Sequence, residues 1–215
     1  GHATGLVYSL LHLWGFNVSI PDMREFRQYN SKTPGHPEYG HTHGVEITTG
    51  PLGQGIANAV GFAMAAKYAQ NTLGKDVINH KVYCLCGDGD LQEGISYEAC
   101  ATAGHLELDN LIVIYDSNDI TIEGDTSIAW SENVKKRFQA INFEVLEIDG
   151  HNFDQIDKAI VTAKSCDKPV LIIAKTAIGK GAATLEGSHH THGAPLGEDE
   201  IKASKKKAGF NPEEK

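Results

Sequence analysis

The stretch KVYCLCGDGDLQEGISYEAC, running from Lys81 to Cys100, changes character in its middle. Lys81–Cys86 is an apolar run of strand length, followed by Gly87-Asp88-Gly89 and then by a helical pattern over Gln92–His105. A strand that ends in glycines and passes into a helix joins two features. Its backbone can approach an anion closely, and the helix N-terminus offers free N–H groups to bind it. Strand-length runs recur at Leu111–Tyr115, Phe143–Ile148 and Val170–Lys175, with Val, Ile or Leu on successive positions. That pattern predicts strands buried on both faces. Helical patterns at Glu132–Ile141 and at Asp154–Lys164, the latter with Asp154 as N-cap, fall between them. Alternating strand and helix imply right-handed crossovers. The expected fold is therefore α/β: a doubly wound, mostly parallel sheet with helices on both faces. An Ala-rich stretch, Gly53–Asn71, adds a buried helix entered from the turn at Gly50-Pro51.

A chain of 215 residues is long enough for one substantial core, so residues 1–215 are expected to form a single domain. Gly1 carries no initiator Met, and Ala3–Trp14 already reads as an apolar helix, which suggests a chain that begins inside a domain. The net charge is −9, and Lys205–Lys207 is the longest basic block, so the electrostatic footprint of a nucleic-acid binder is missing. The longest apolar runs are far shorter than a bilayer span, so no membrane partner is expected. Cys84, Cys86, Cys100 and Cys166 are too sparse for a disulfide framework, and with no secretory signal the expected location is the cytoplasm.

Three segments resist regular assignment: 31–49, 116–126 and 179–197, all rich in Gly, His, Pro, Asn or Thr. Ligands of doubly wound folds sit at the carboxyl ends of the strands, and two of these segments directly follow strands. The third is expected to fold over the same edge. Lys202–Lys215 reads as a ragged, charged boundary.

Asp88 offers a hard oxygen for Mg2+, which favours near-octahedral oxygen ligands and bridges to phosphates. The next strand ends at Asp116-Ser117-Asn118-Asp119-Ile120, which can present Asn118 and a main-chain oxygen to the same ion. A Gly turn followed by an N-capping acid is the bland alternative. A dinucleotide fingerprint requires Gly where Gln92 stands, and a calcium EF-hand loop requires Gly where Glu93 stands, so spacing excludes both.

Taken together, four segments resemble the transketolase family. GDGDLQEGISYEA with Asn118 downstream is similar to the thiamine diphosphate signature. SKTPGHPE (Ser31–Glu38), GVEITTGPLGQG (Gly44–Gly55) and HGAPLG (His192–Gly197) are similar to the rest of the set, in the family's order. The resemblance implies thiamine diphosphate and Mg2+ as cofactors, with Ca2+ as a substitute ion. It implies Asp88, Asn118 and the Ile120 carbonyl as metal ligands, and Gly89 and Asn118 at the diphosphate. Gly50, Pro51 and Leu52 then line the cofactor, and His2, His36 and His192 stand in the active-site cleft, His2 and His192 also against the cofactor. Imidazoles suit that place, because ketol transfer develops negative charge that a His can stabilise or protonate near neutral pH. Glu93 falls at the family's subunit contact, facing a carboxylate that activates the cofactor's aminopyrimidine; its alternative is a solvated acid in a helix's first turn.

The resemblance also implies a two-carbon ketol transfer from a ketose phosphate to an aldose phosphate, with sugar phosphates as substrates and a homodimer as the full enzyme. The pyrimidine-binding and C-terminal domains, the activating glutamate and one upstream histidine are not recognisable. The chain is thus expected to supply one half of a site that a complementary domain or chain completes, and to be inactive alone. Dihydroxyacetone synthase, a deoxyxylulose-phosphate synthase or a non-catalytic cofactor-binding module are the competing readings. The tract Ser188-His189-His190-Thr191-His192 also resembles a metal-binding stretch, but the Gly-Ala-Pro-Leu after His192 favours the catalytic loop. Cys84 and Cys86, two apart in a strand, lack the four-ligand spacing of structural zinc.

Overall fold

The alternation of strand runs and helical patterns resolves into one four-stranded parallel sheet in a computed structural model that describes residues 3–214. The chain opens with α1 (Thr4–Leu13), α2 (Ile20–Arg24) and the long α3 (Gln54–Leu73). It continues through β1 (Val82–Gly87), α4 (Asp88–Gln92), α5 (Gly94–His105) and β2 (Leu111–Ser117). A short antiparallel hairpin, β3 (Ile120–Thr121) with β4 (Gly124–Asp125), leads to α6 (Val134–Ala140) and β5 (Glu144–Asp149). Then come α7 (Phe153–Ser165), β6 (Val170–Lys175) and α8 (Glu198–Lys207).

The main sheet has the order β1-β2-β6-β5, with Cys86 beside Tyr115 and Gly87 beside Asp116 in the parallel register. Period-2 alternation sends Cys84, Cys86, Leu111, Val113 and Tyr115 to one face, against Ile56 and Ala63 of α3, Cys100 and Ala103 of α5 and Phe138 of α6. Ile112, Val170 and Ile172 point the other way, against Ala159 and Ala163 of α7. Helices therefore lie on both faces, as a doubly wound parallel sheet requires.

Several sequence expectations need correction. The strands are not all buried on both faces: Tyr83 and Leu85 of β1 are 47% and 53% exposed, because β1 is an edge strand and the helix of its second face, α7, packs over β5 and β6. The helix expected over Gln92–His105 is α5, which begins at Gly94 because Glu93 adopts extended geometry (φ −74°, ψ 136°); the short α4 before that break was not foreseen. Asp154 is not the N-cap of α7. Asn152 is, its side chain accepting from Gln155 N, and Asp154 stands in the first turn, where its charge suits the helix dipole. Lys202–Lys215 is no ragged boundary throughout. Lys202–Lys207 belongs to α8, whose first turn carries Glu198, Asp199 and Glu200 and whose last carries Lys205–Lys207, an arrangement that complements the dipole at both ends. The short α2 was missed, although Ser19 and Asp22 form a capping box around Pro21. Among the described residues, no helix is long and apolar enough to cross a membrane.

Candidate active site

The carboxyl ends of β1 and β2 meet at Asp88. This side chain is buried, and its two oxygens have separate partners: the Tyr115 hydroxyl donates to Oδ1 at 2.5 Å, and the Asn118 backbone N–H donates to Oδ2 at 3.3 Å. Burial pushes the Asp88 carboxyl above its usual range, against the opposing pull of the Tyr115 and Asn118 bonds. Burial and the same carboxylate hold Tyr115 far above the usual phenol range, so its hydroxyl remains a donor.

Asn118 is oriented from both ends of its amide. Its Oδ1 accepts from Ile120 N at 3.0 Å and its Nδ2 donates to Asp116 Oδ2 at 3.4 Å, while Asp116 Oδ1 accepts from the Thr176 hydroxyl beyond β6. The turn needs Asp119 at φ 61°, a left-handed geometry that Asp tolerates better than most residues. Lys175 pairs with the exposed Asp119 at 3.0 Å.

This donor set fits Mg2+ or Ca2+. A carboxylate, an amide oxygen and a backbone carbonyl are all hard oxygens, and the buried carboxylate gains from a cation that compensates its desolvation. The cysteines offer nothing comparable, since burial lifts the Cys84 and Cys100 thiols to about 12 and Cys86 likewise upward.

The turn before α3 comes to the same edge. A side chain at Gly89 would meet Leu52 Cδ1 at 3.2 Å, so Leu52 lies over Gly89 and would have to shift to admit any larger residue there. A side chain at Gly50 would meet the His36 ring at 3.2 Å, so the segment 31–49 also reaches this edge. Burial lowers the His36 pKa, with the positive charge of Arg27 as a lesser cause, and favours the neutral imidazole at pH 7. Pro51 bridges Gly50 and Leu52 in an exposed turn. Together Gly89, Leu52 and Gly50 form a cradle bounded by backbone and one aliphatic side chain, suited to a diphosphate and the ring it carries.

His192 stands on the loop after β6, closing the 3-10 turn His189–Thr191 with its N–H on His189 O at 2.9 Å. The rings of His189 and His190 lie against each other, with centroids 4.2 Å apart. Asp88 is thus brought directly to Asn118, Leu52 to Gly89 and His36 to Gly50, while His192 stands on a separate loop. His2 lies outside the described residues. Glu93 is exposed at the break between α4 and α5.

The family model for the transketolase thiamine diphosphate binding domain matches residues 1–215. The chain belongs to this family. It is 53% identical over 219 residues to the transketolase of Bacillus subtilis, a match covering 100% of this chain and 33% of that protein. The crystal structure of transketolase from Campylobacter jejuni superposes with a TM-score of 0.96 at 65% identity, covering 100% of this chain and 34% of the other. A transketolase from Pichia stipitis, solved in complex with sedoheptulose 7-phosphate, superposes with a TM-score of 0.94 at 45% identity over 100% of this chain and 32% of its own. The chain therefore spans about a third of the length of the transketolases it matches.

Within this transketolase-family domain, sequence reasoning singled out Asp88 and Asn118 but not Tyr115, Asp116 and Thr176, which orient them. One signal was available for Tyr115. In LIVIYDS, alternation places it on the same face as Leu111 and Val113, and a phenol on a buried face needs a partner.

Proposed function

We propose that this chain holds the Mg2+ and diphosphate of thiamine diphosphate in a transketolase, a protein that moves a two-carbon ketol unit from a ketose phosphate to an aldose phosphate. The single observation that carries the reading is the buried Asp88 carboxylate, held by Tyr115 and Asn118 beside a glycine that Leu52 covers. Asp88, the Asn118 amide oxygen and the Ile120 carbonyl bind the ion; Gly89 and Asn118 take the diphosphate; Gly50, Pro51 and Leu52 line the ring. When bound, the thiazolium ring supplies an electron sink for carbon–carbon cleavage and formation.

The chain's own groups supply binding, orientation and proton handling. Leu52 and the Gly50 turn keep water from one side of the cradle. A neutral His36 accepts a proton at a ring nitrogen or donates a hydrogen bond to substrate oxygen, and His192 and His2 offer the same chemistry from the other loops. Sugar phosphates as substrates agree with the ligand named for the Pichia stipitis structure.

The complementary pyrimidine-binding part, and a second subunit in a homodimer, belong on the surface beside Glu93. There the turn and α5 expose Leu52, Ile95 and Tyr97 at 39%, 37% and 47%, and α3 exposes Phe62 at 49%, apolar area that a partner would cover. An exposed Glu93 is then placed to share a proton with a partner carboxylate.

The test combines this chain with the complementary portion of the full-length protein, thiamine diphosphate and Mg2+. Ketol transfer to ribose 5-phosphate is the expected result. Verified assembly without transfer would sink the proposal, and transfer to formaldehyde in preference to ribose 5-phosphate would reassign the acceptor.

A further inference from the structure

We infer that Asp90 is a positioning residue: its carboxylate fastens the Gly50–Gly53 turn onto the Gly87–Gly89 turn and so holds Leu52 against Gly89 as a wall of the place where a magnesium-bound diphosphate ester binds. The inference rests on the cofactor reading given under Proposed function.

The two oxygens of Asp90 serve chain segments that are far apart in sequence. Oδ2 accepts from Gly87 N at 2.9 Å, the N3 side chain reaching back to the N-cap N–H at the start of α4. Oδ1 accepts from Gly53 N at 3.0 Å, across 37 positions of sequence. A capping role alone needs only the first bond. The second ties the end of the cofactor-lining turn to the end of β1.

The Gly53 side of this fastening has no slack. Gly53 has φ 77°, and a side chain there would meet Ile95 Cγ2 at 2.7 Å, Ser96 Oγ at 2.8 Å and Glu93 Cβ at 3.0 Å. The turn is therefore seated in the break between α4 and α5. Gly53 is buried, so water is a poor substitute for the lost acceptor. The break is itself held by Asp90, whose backbone carbonyl accepts from the buried Ser96 hydroxyl at 2.5 Å.

Leu52 immediately precedes Gly53, and Gly89 immediately precedes Asp90. The two residues in contact are thus each one residue from an end of the fastening, and the Leu52 side chain comes within 3.2 Å of the place a Gly89 Cβ would occupy. Freeing Gly53 N would let Leu52 lift from Gly89 or slide across it. Either displacement misplaces the wall against a ligand whose metal is fixed separately by Asp88 and Asn118. Asp90 has both oxygens occupied within the protein, so its effect reaches the ligand through the turn.

The experiment uses the full-length protein that contains this chain, with Asp90→Asn, Asp90→Ala and Asp88→Asn variants. Asn is isosteric with Asp but has one acceptor oxygen, so Asp90→Asn keeps one of the two amide bonds and the fold; it serves if Asp90→Ala does not fold. Hydrogen exchange followed by mass spectrometry on the peptide covering residues 50–58, without cofactor, reads the fastening. Thiamine diphosphate titration at saturating Mg2+ reads the placing of the Leu52 wall, and ketol transfer at saturating cofactor gives kcat.

Faster exchange in that peptide and a rise of about tenfold or more in the apparent cofactor dissociation constant are expected for Asp90→Asn, by analogy with lost outer-shell partners of a metal site. The kcat at saturating cofactor stays near wild type. Unchanged cofactor affinity overturns the inference, whether or not exchange speeds up, and so does a fall in kcat equal to the loss of affinity. Failure of the underlying reading looks different: the wild-type protein does not bind thiamine diphosphate, or Asp88→Asn binds it as well as wild type.

Discussion

Replacing Tyr115 by Phe removes one oxygen and leaves the ring in place, which isolates the bond that orients the Asp88 carboxylate. The hydroxyl donates to Asp88 Oδ1 at 2.5 Å, and both residues are buried, so water cannot readily replace the lost donor. A hydrogen bond to a charged group contributes about 1.5–3 kcal/mol net, and an expected loss of about 2 kcal/mol corresponds to roughly a 30-fold change in the unfolding equilibrium. In a urea titration at pH 7, with a slope of about 2.5 kcal/mol/M, the midpoint would fall by roughly 0.8 M while the slope stays constant. A double-mutant cycle with Asp88→Asn separates this bond from general packing. With a neutral acceptor the same Tyr115→Phe change should cost only about 1 kcal/mol, the ordinary value for an uncharged pair. In the cofactor-binding protein Tyr115→Phe should also weaken Mg2+ binding by about tenfold, since the ligand loses its orienting partner. A cost below about 0.5 kcal/mol, or the same cost in both backgrounds, would refute the reasoning.

Two further outcomes follow from packing and from charge. A Cβ at Gly104 would collide with the Ile141 backbone carbonyl where α5 passes the end of α6, so Gly104→Ala should destabilise the fold by about 1–3 kcal/mol despite the better helix propensity of Ala; thermal unfolding with an unchanged or raised midpoint would contradict this. The Lys180 bond and the Gly181 N–H lower the Glu186 carboxyl from 4.5 to about 2, so its contribution to the loop is present above about pH 4.5 and is lost as pH falls toward 2. NMR titration of Glu186 should show that depressed midpoint and Lys180→Ala should raise it; an ordinary midpoint in the wild-type chain would refute the pairing.

Much of the architecture was legible because apolar period and turn chemistry are local. Val170–Lys175 is the strand the sequence indicates, residue for residue, since the central strand is apolar at nearly every position. β1 shows the limit of the same rule. Its composition matches a strand covered on both sides, yet Tyr83 and Leu85 are exposed, because cover depends on which helices return to that edge. The break at Glu93 was hidden for a similar reason: the helical pattern runs through it, while the Gly53 turn lodged against Ile95 and Ser96 occupies the break.

By itself the sequence determined the α/β class, the placing of Asp88 and Asn118 at consecutive strand ends, and, through four ordered motifs, the transketolase family. Those properties belong to short segments and survive without knowledge of contacts. Only the tertiary structure decided how these groups are held: Tyr115 on Asp88, Asp116 on Asn118, Leu52 over Gly89 and Asp90 on Gly53. Each joins residues through register or packing, and a parallel sheet fixes its register only when separate strands, brought together by long crossovers, pair in three dimensions.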